Sequence, residues 1–286
     1  MQPFKFSTRP LDSFGMQVDA DLSRPLDPAQ QSALRTLLYG QGVLVFRGQS
    51  LSDEDQVRVL GHFGHVLGEE GENREIAPDG NLGNCRLLYH SDLAFTPEPF
   101  KLLSLYGIDV DDGKTTTLFA SGTRVLSALP RALRDSLPAM TATTVIPPLQ
   151  TERAVGYDMP AFLPQVSRPV VIEHPVTREP ILYISEMQTA RIDGLPPAES
   201  EETLQELFKH LYAPDNVYEH VWHQGDLVIW DNIALQHGRP DQANTRRRRL
   251  RRVAVADKTF YQLCPEFRAD DPMVIAWGAG KRLMLE

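Results

Sequence analysis

The chain of 286 residues has only two cysteines, Cys85 and Cys264, far apart and outside any paired spacing. That argues against a disulfide framework or a cysteine-built zinc site, and leaves both thiols as reduced, structural residues. No run of 18 apolar residues occurs, and the opening MQPFKFSTRPLDSFGMQVDA lacks the apolar core of a secretory leader. Neither export nor membrane spanning is indicated, so the expected location is cytoplasmic, without a membrane partner. Internal repeats and low-complexity linkers are also missing: the 22 prolines and 19 glycines are spread along the chain in short clusters. With 42% hydrophobic and 23% charged residues, this composition suits one large domain over residues 1–286.

Positive charge is in deficit, at a formal net charge of −9, yet six arginines fall within seven positions of TRRRRLRRVAV, Thr245 to Val255. Such a run is ordinarily a solvated face or an arm that neutralises nucleic-acid phosphates. Leu250 and the VAV that follows favour a strand, however, and alternate residues of a strand face opposite ways. Arg248, Leu250, Arg252 and Ala254 then share one side, and Arg247, Arg249, Arg251 and Val253 the other. A guanidinium buried without an anion is strongly disfavoured. An inward row therefore implies an anionic partner.

The pattern elsewhere is of many short strands and few helices. DPAQQSALRTLLYG reads as a helix opened by Asp27 and Pro28 and stopped at Gly40, SDEDQVRVLGHFG as a second helix capped by Ser52, and ESEETLQELFKHLYA as a late amphipathic one. GVLVFRG, RLLYHSDLAF, KLLSLYGI, PVVIEHP, PILYIS, DNVYEHVW, DLVIWD and LRRVAVA read as strands. The expected class is mainly β, a sandwich or barrel with helices on its outside.

Within YHSD, His90 and Asp92 lie two apart, and on an extended chain they share a face on which both can bind one metal ion. A pair alone is common, so a third ligand is needed. His237, in GDLVIWDNIALQHGRP, follows a buried strand and is the candidate. The remaining histidines, His62, His65, His174, His210, His220 and His223, read as surface or hydrogen-bonded core residues.

Taken in order, YHSDLAF, DGKTTTLFAS, YEHVWHQGDLVIWDNIALQH and RRRRLRRVAV resemble the successive motifs of the taurine dioxygenase (TauD/TfdA) family of Fe(II)- and 2-oxoglutarate-dependent oxygenases. The likeness runs from about Gly42 to Val255. It implies a double-stranded β-helix core, jelly-roll and cupin-like, in a single dioxygenase domain. It also implies a metal triad of His90, Asp92 and His237, a threonine at Thr117 and an arginine at Arg248 for the distal carboxylate of 2-oxoglutarate, and a second arginine, Arg252, near cosubstrate and substrate. On that reading the inward arginine row is a carboxylate seat and the outward row is mostly solvated. Arginine suits the task, since its planar fork matches a carboxylate in bidentate fashion.

The implied reaction consumes O2 and 2-oxoglutarate, releases succinate and CO2, and hydroxylates an unactivated C–H of a small anionic substrate, with group loss or desaturation as variants. Asp92 argues against halogenation, which in relatives needs that carboxylate replaced. Arg86, on the same nominal strand face as His90 and Asp92 and four residues upstream of His90, about 13 Å along an ideal strand, is a candidate for the substrate anion or for a rim ion pair. Tyr89, Phe95, Leu67 and Tyr157 are candidate pocket walls or core residues. The proline-rich TVIPPLQTERAVGYDMPAFLPQVSRP is a candidate active-site cover or subunit contact. Asp231 and Asn232 read as turn residues supporting the site. Two other readings stay open: a metal-dependent barrel with a non-oxidative or 2-oxoglutarate-binding role, and homodimeric or homotetrameric assembly. No nucleic-acid partner is expected.

Overall fold

The computed structural model describes residues 4–67, 75–77, 85–147, 153, 163–242 and 245–267. In chain order its strands and helices are β1 (Ser7–Pro10), β2 (Met16–Asp19), α1 (Pro28–Gln41), β3 (Val43–Phe46), α2 (Asp53–Gly61), β4 (Glu75–Ile76), β5 (Leu87–His90), β6 (Leu102–Val110), β7 (Thr116–Ser121), α3 (Gly122–Ala128) and α4 (Arg131–Ser136). They continue as β8 (Thr141–Val145), β9 (Gln165–Pro169), β10 (Val171–Glu173), β11 (Pro180–Leu182), β12 (Thr189–Ile192), α5 (Pro197–Leu211), β13 (Val217–Val221), β14 (Leu227–Asp231), β15 (Leu235–Arg239), β16 (Arg248–Val255) and α6 (Phe260–Leu263).

Local chemistry sets the helix ends. Asp27 accepts from the Gln30 N–H at 2.8 Å while the Gln30 side chain accepts from the Asp27 N–H at 2.9 Å, and Ser52 and Asp55 repeat the arrangement on α2. Helix α1 runs one residue past Gly40, to Gln41, because the positive-φ residue that ends it is Gly42, at φ 79°. A Cβ there would also press on Leu235 at 3.2 Å.

Two sheets build the body. One has the order β1-β2-β3-β14-β6-β16-β4, the other β13-β7-β15-β5. All their pairings are antiparallel except β2 with β3. An inner cluster takes Val43, Val45, Leu103, Leu105, Val228, Trp230, Leu250 and Ala254 from the first sheet and Phe119, Tyr218 and Leu235 from the second, so the sheets face each other across it. On the far side of the first sheet, Leu34 and Leu38 of α1 and Val59 and Leu60 of α2 pack on Leu44, Phe46, Val253 and Val255. The protein is mainly β with flanking helices.

Strand β16 thus divides as its alternation requires: Leu250 and Ala254 join the inner cluster, Val253 and Val255 the outer one. A buried Leu or Val is worth roughly 1.5–3 kcal/mol, whereas an exposed ion pair is worth about 0–1 kcal/mol. The aliphatic residues, not the arginines' ion pairs, therefore fix which arginines face inward. The register irregularity opposite Arg249 and Leu250 spends its extra residue on β6, at Ile108, so the alternation along β16 is unbroken.

Candidate active site

Strand register brings the histidines together. His237 is the cross-strand partner of both His90 on β5 and Phe119 on β7, and Phe119 points into the space between the sheets. Both imidazoles therefore face that space, their rings 4.2 Å apart. The route to Asp92 differs from the sequence expectation. Strand β5 stops at His90, and Asp92 lies in the turn that follows, so no common strand face delivers the pair. Even so, one ligand atom each from His90, Asp92 and His237 lies within 4.8 Å of the others.

The protonation states favour metal binding. His90 Nδ1 lies 2.9 Å from the Leu88 carbonyl, to which it donates, leaving Nε2 as the free lone pair 3.3 Å from Asp92 Oδ1. Burial, reinforced by the neighbouring His90, pushes His237 down to about 3, so its imidazole is neutral at physiological pH. Burial alone would raise the Asp92 pKa, but the Arg252 guanidinium outweighs it and holds the carboxyl well below the usual range. The Nε2 lone pair of His90, the neutral His237 imidazole and one ionised carboxylate are the donor set of a mononuclear transition-metal centre with open positions. Trp230 lies against His237, ring centroids 4.9 Å apart, and helps to close the space.

Arg252 donates to Asp92 Oδ2 at 2.5 Å and lies 5.3 Å over the Phe100 ring. The structure places it on the triad's carboxylate, leaving Oδ1 turned toward the imidazoles. Arg248 is buried on the same inner face, and its Nε has no hydrogen-bond partner among the described residues. Burial and the charge of Arg239 both work against its positive charge. Thr117, two residues before Phe119, shares that residue's inward face and accepts the indole N–H of Trp222 at 2.9 Å. The hydroxyl proton of Thr117 is left for another acceptor. A buried guanidinium whose Nε is unpartnered among the described residues and an available buried hydroxyl suit a carboxylate ligand.

Other candidates stand elsewhere. Between His237↔His90 and Arg239↔Leu87, β5 carries one residue more than β15, a bulge that breaks the parity on which Arg86 was counted. Tyr89 lies on the side away from His237: its ring is 3.4 Å from the position of a Cβ at Gly238, and it stacks on Tyr212 at 4.2 Å. It is therefore not a wall of the triad's space. Arg86 precedes the strand, is 60% exposed and sits 3.6 Å from Glu186, the rim arrangement. Phe95 packs with Val145, Ile146 and Phe260 in a separate core cluster. Leu67 belongs to the inner cluster, where Leu93 also packs. Tyr157 lies outside the described residues, as does most of the proline-rich stretch around it.

Several contributors escaped the sequence reading. Trp222 behind Thr117 becomes visible only once β13 is known to lie beside β7. Arg239, buried and donating to the Cys85 carbonyl at 2.8 Å, was not among the candidates. The WDN turn is better anchored than its letters suggest: Asp231 accepts from the N–H groups of Ile233 and Ala234 and from His174 Nε2 at 2.8 Å. His174 Nδ1 accepts from two backbone N–H groups, which assigns the ring proton to Nε2 and makes His174 a core histidine.

This geometry coincides with a family match. The family described as "Taurine catabolism dioxygenase TauD, TfdA family" matches residues 7–254. The chain belongs to the TauD/TfdA family. Within it, the chain is 28% identical over 278 residues to the alpha-ketoglutarate-dependent 2,4-dichlorophenoxyacetate dioxygenase of Cupriavidus pinatubonensis, covering 87% of this chain and 96% of that one. It is 30% identical to the (S)-phenoxypropionate/alpha-ketoglutarate-dioxygenase of Sphingobium herbicidovorans, covering 81% and 88%. Among TauD-like solved structures, AAD-2 in complex with Mn(II) and N-oxalylglycine superimposes with a TM-score of 0.73 at 27% identity, over 89% of this chain and 98% of that one.

Proposed function

We propose that this chain is an Fe(II)- and 2-oxoglutarate-dependent dioxygenase that hydroxylates an unactivated C–H bond of a small anionic organic substrate, forming succinate and CO2. Its two sheets are read as the halves of a double-stranded β-helix, jelly-roll and cupin-like, in one dioxygenase domain. The observation that carries the activity is the convergence of His90, Asp92 and His237, together with the buried Arg248, whose Nε has no hydrogen-bond partner among the described residues. The family relatives named above act, by their names, on aryloxy acids and depend on alpha-ketoglutarate.

His90 Nε2, His237 Nε2 and Asp92 Oδ1 would hold the iron, three ligands that leave positions open for a chelating 2-oxo acid and for O2. Bound Fe(II) supplies oxygen activation coupled to oxidative decarboxylation of the 2-oxo acid. The chain's own part is aim and dryness. Arg248 offers a bidentate fork, and Thr117 a proton, to the distal carboxylate of 2-oxoglutarate. Arg252 keeps Asp92 ionised and fixes which oxygen it presents. Trp230, Phe119, Leu103 and Leu250 line the inner space with apolar surface, so a reactive species formed there meets substrate before water.

The test is oxygen uptake and succinate formation with Fe(II) and 2-oxoglutarate, across sulfonates, aryloxy acids and amino-acid derivatives. Substrate-dependent succinate is the expected result. Bound iron with no succinate under any of these substrates would leave a non-oxidative or binding role instead.

A further inference from the structure

Asp92 stands just past the last ladder pair of β5, His90↔His237, at a point where an ordinary strand would lose its backbone partners. Two side-chain amides take the ladder's place. Gln188 accepts from the Ser91 N–H at 3.3 Å and donates to the Ser91 carbonyl at 3.0 Å. Asn232 accepts from the Asp92 N–H at 2.9 Å and donates to the Asp92 carbonyl at 3.1 Å. A primary amide carries the same donor and acceptor as a peptide group, so each of the two mimics one residue of a neighbouring strand.

We propose that Gln188 and Asn232 are positioning residues for the metal centre, a pair of amide clamps that hold the Ser91–Asp92 backbone and so set how tightly the triad binds its ion. The inference rests on the triad being a metal site.

Both clamps are themselves held. Asn232 is fully buried, spends its second amide proton on the Phe100 carbonyl at 2.8 Å, and its own N–H donates to the Lys101 carbonyl at 3.0 Å. Gln188, 1% exposed, accepts a second bond from Ser185 Oγ at 3.1 Å, and its carbonyl accepts from the Val145 N–H at 2.9 Å. These partners fix the sense of each amide, since reversing either one would set donor against donor.

The restrained backbone is strained. Leu93, directly after Asp92, has φ 57°, a left-handed conformation that a leucine adopts only where its surroundings impose it. Without the clamps, that residue would be free to relax and carry the carboxylate with it. Asn232 adds a mechanical link, because it sits in the turn between β14 and β15, five residues before His237. One amide thus ties the carboxylate ligand to the segment that delivers the distal histidine.

The experiment measures Mn(II) affinity by EPR on metal-free, full-length protein, with a melting curve for each variant. Asn232→Leu and Gln188→Met preserve approximate shape and remove the amides. Asn216→Leu is the control, since Asn216 is a buried amide donating to the Ser121 and Leu211 carbonyls at 3.0 and 2.8 Å, apart from the triad. All three are expected to melt lower than wild type. Mn(II) binding should weaken roughly 10- to 100-fold in Asn232→Leu and by about the lower figure in Gln188→Met, and stay within about twofold of wild type in the control. Folded clamp variants with wild-type affinity, or a control that loses as much, overturn the proposal. Should Asn232→Leu not fold, Gln188→Met decides by the same criterion. A wild type that binds no Mn(II) overturns the metal reading itself, whereas wild-type binding with unaffected variants overturns the clamps alone.

Discussion

The two faces of β16 carry the same residue type in adjacent positions and treat it in opposite ways. On the outer face, Arg247 donates to Asp109 and Arg249 to Glu75 at 2.7 Å. Arg251 lies 4.9 Å over the Tyr106 ring and bonds the Gln56 side chain and the Leu51 and Ser52 carbonyls, with Asp53 at 3.1 Å. On the inner face, Arg252 is committed to Asp92, and the buried Arg248 has an Nε that nothing in the described chain satisfies. The chain neutralises the charges of the outer row and leaves the Nε of one inner arginine without a protein partner among the described residues. The outer row is accordingly ion-paired rather than simply solvated, and Arg251, at 13% exposure, is held under α2.

The largest effect is expected from breaking the inner face at its anion. Asp92→Ala should abolish turnover and Mn(II) binding together, since it removes a ligand and leaves Arg252 uncompensated. Because that ion pair is 14–19% exposed, its loss should cost at most about 3 kcal/mol of stability, less than a fully buried pair. A thermal melt beside an EPR titration separates the two consequences. Turnover surviving in Asp92→Ala would remove the carboxylate from the site.

Next in size is Arg248→Met, and here the two readouts should move in opposite directions. The 2-oxoglutarate KM should rise roughly 10²-fold, the loss expected when one partner of a buried charge pair is truncated. Without 2-oxoglutarate, the variant should melt at or above wild type, because an unpaired buried guanidinium has been replaced by an apolar chain. Added 2-oxoglutarate should raise the wild-type Tm and leave the variant's unchanged. An unaltered KM would transfer the carboxylate seat to another arginine of the run, with Arg252 the next to test.

The same strand shows how much was legible beforehand. Alternation alone separated Arg248 and Arg252 from Arg247, Arg249 and Arg251, because aliphatic residues at Leu250, Val253, Ala254 and Val255 make period two unambiguous. Spacing found His90 and Asp92, although for a reason that the structure replaces: a turn after His90, rather than an even strand, sets their geometry. Arg86 lost its nominal face to the bulge in β5, since one extra residue inverts every side chain upstream of it, whereas Tyr89, next to His90, faces away from the triad by ordinary alternation. Gln188, Trp222 and Arg239 were not legible at all, because each matters through a partner distant in sequence. The mainly β class and the three principal helices were visible as local patterns; the order β13-β7-β15-β5, which assembles the site, is entirely non-local.

On the outer face the comparison predicts losses of stability without losses of function. Arg251→Met removes bonds to one side chain and two carbonyls, in a place that is mostly buried. A cost of about 1–3 kcal/mol is expected, read by denaturant melts, with kcat and the 2-oxoglutarate KM within about twofold of wild type. A large KM change would mean that the outer row also steers the inner one.

Smallest of all is Arg249→Ala. Its ion pair with Glu75 is about half exposed on both partners, so solvent and salt screen most of the attraction, and holding two long side chains offsets much of the rest. The expected loss is under about 0.5 kcal/mol at moderate ionic strength, with no kinetic effect. The informative version is the pair of substitutions measured together. If Arg249→Ala costs as much as Arg251→Met, burial does not grade the outer row; if it lowers 2-oxoglutarate affinity as Arg248→Met does, the separation of β16 into a structural and a ligand-binding face is wrong. An Arg249→Ala protein indistinguishable from wild type would show that, along one strand of one residue type, consequence follows the face and its burial rather than the charge.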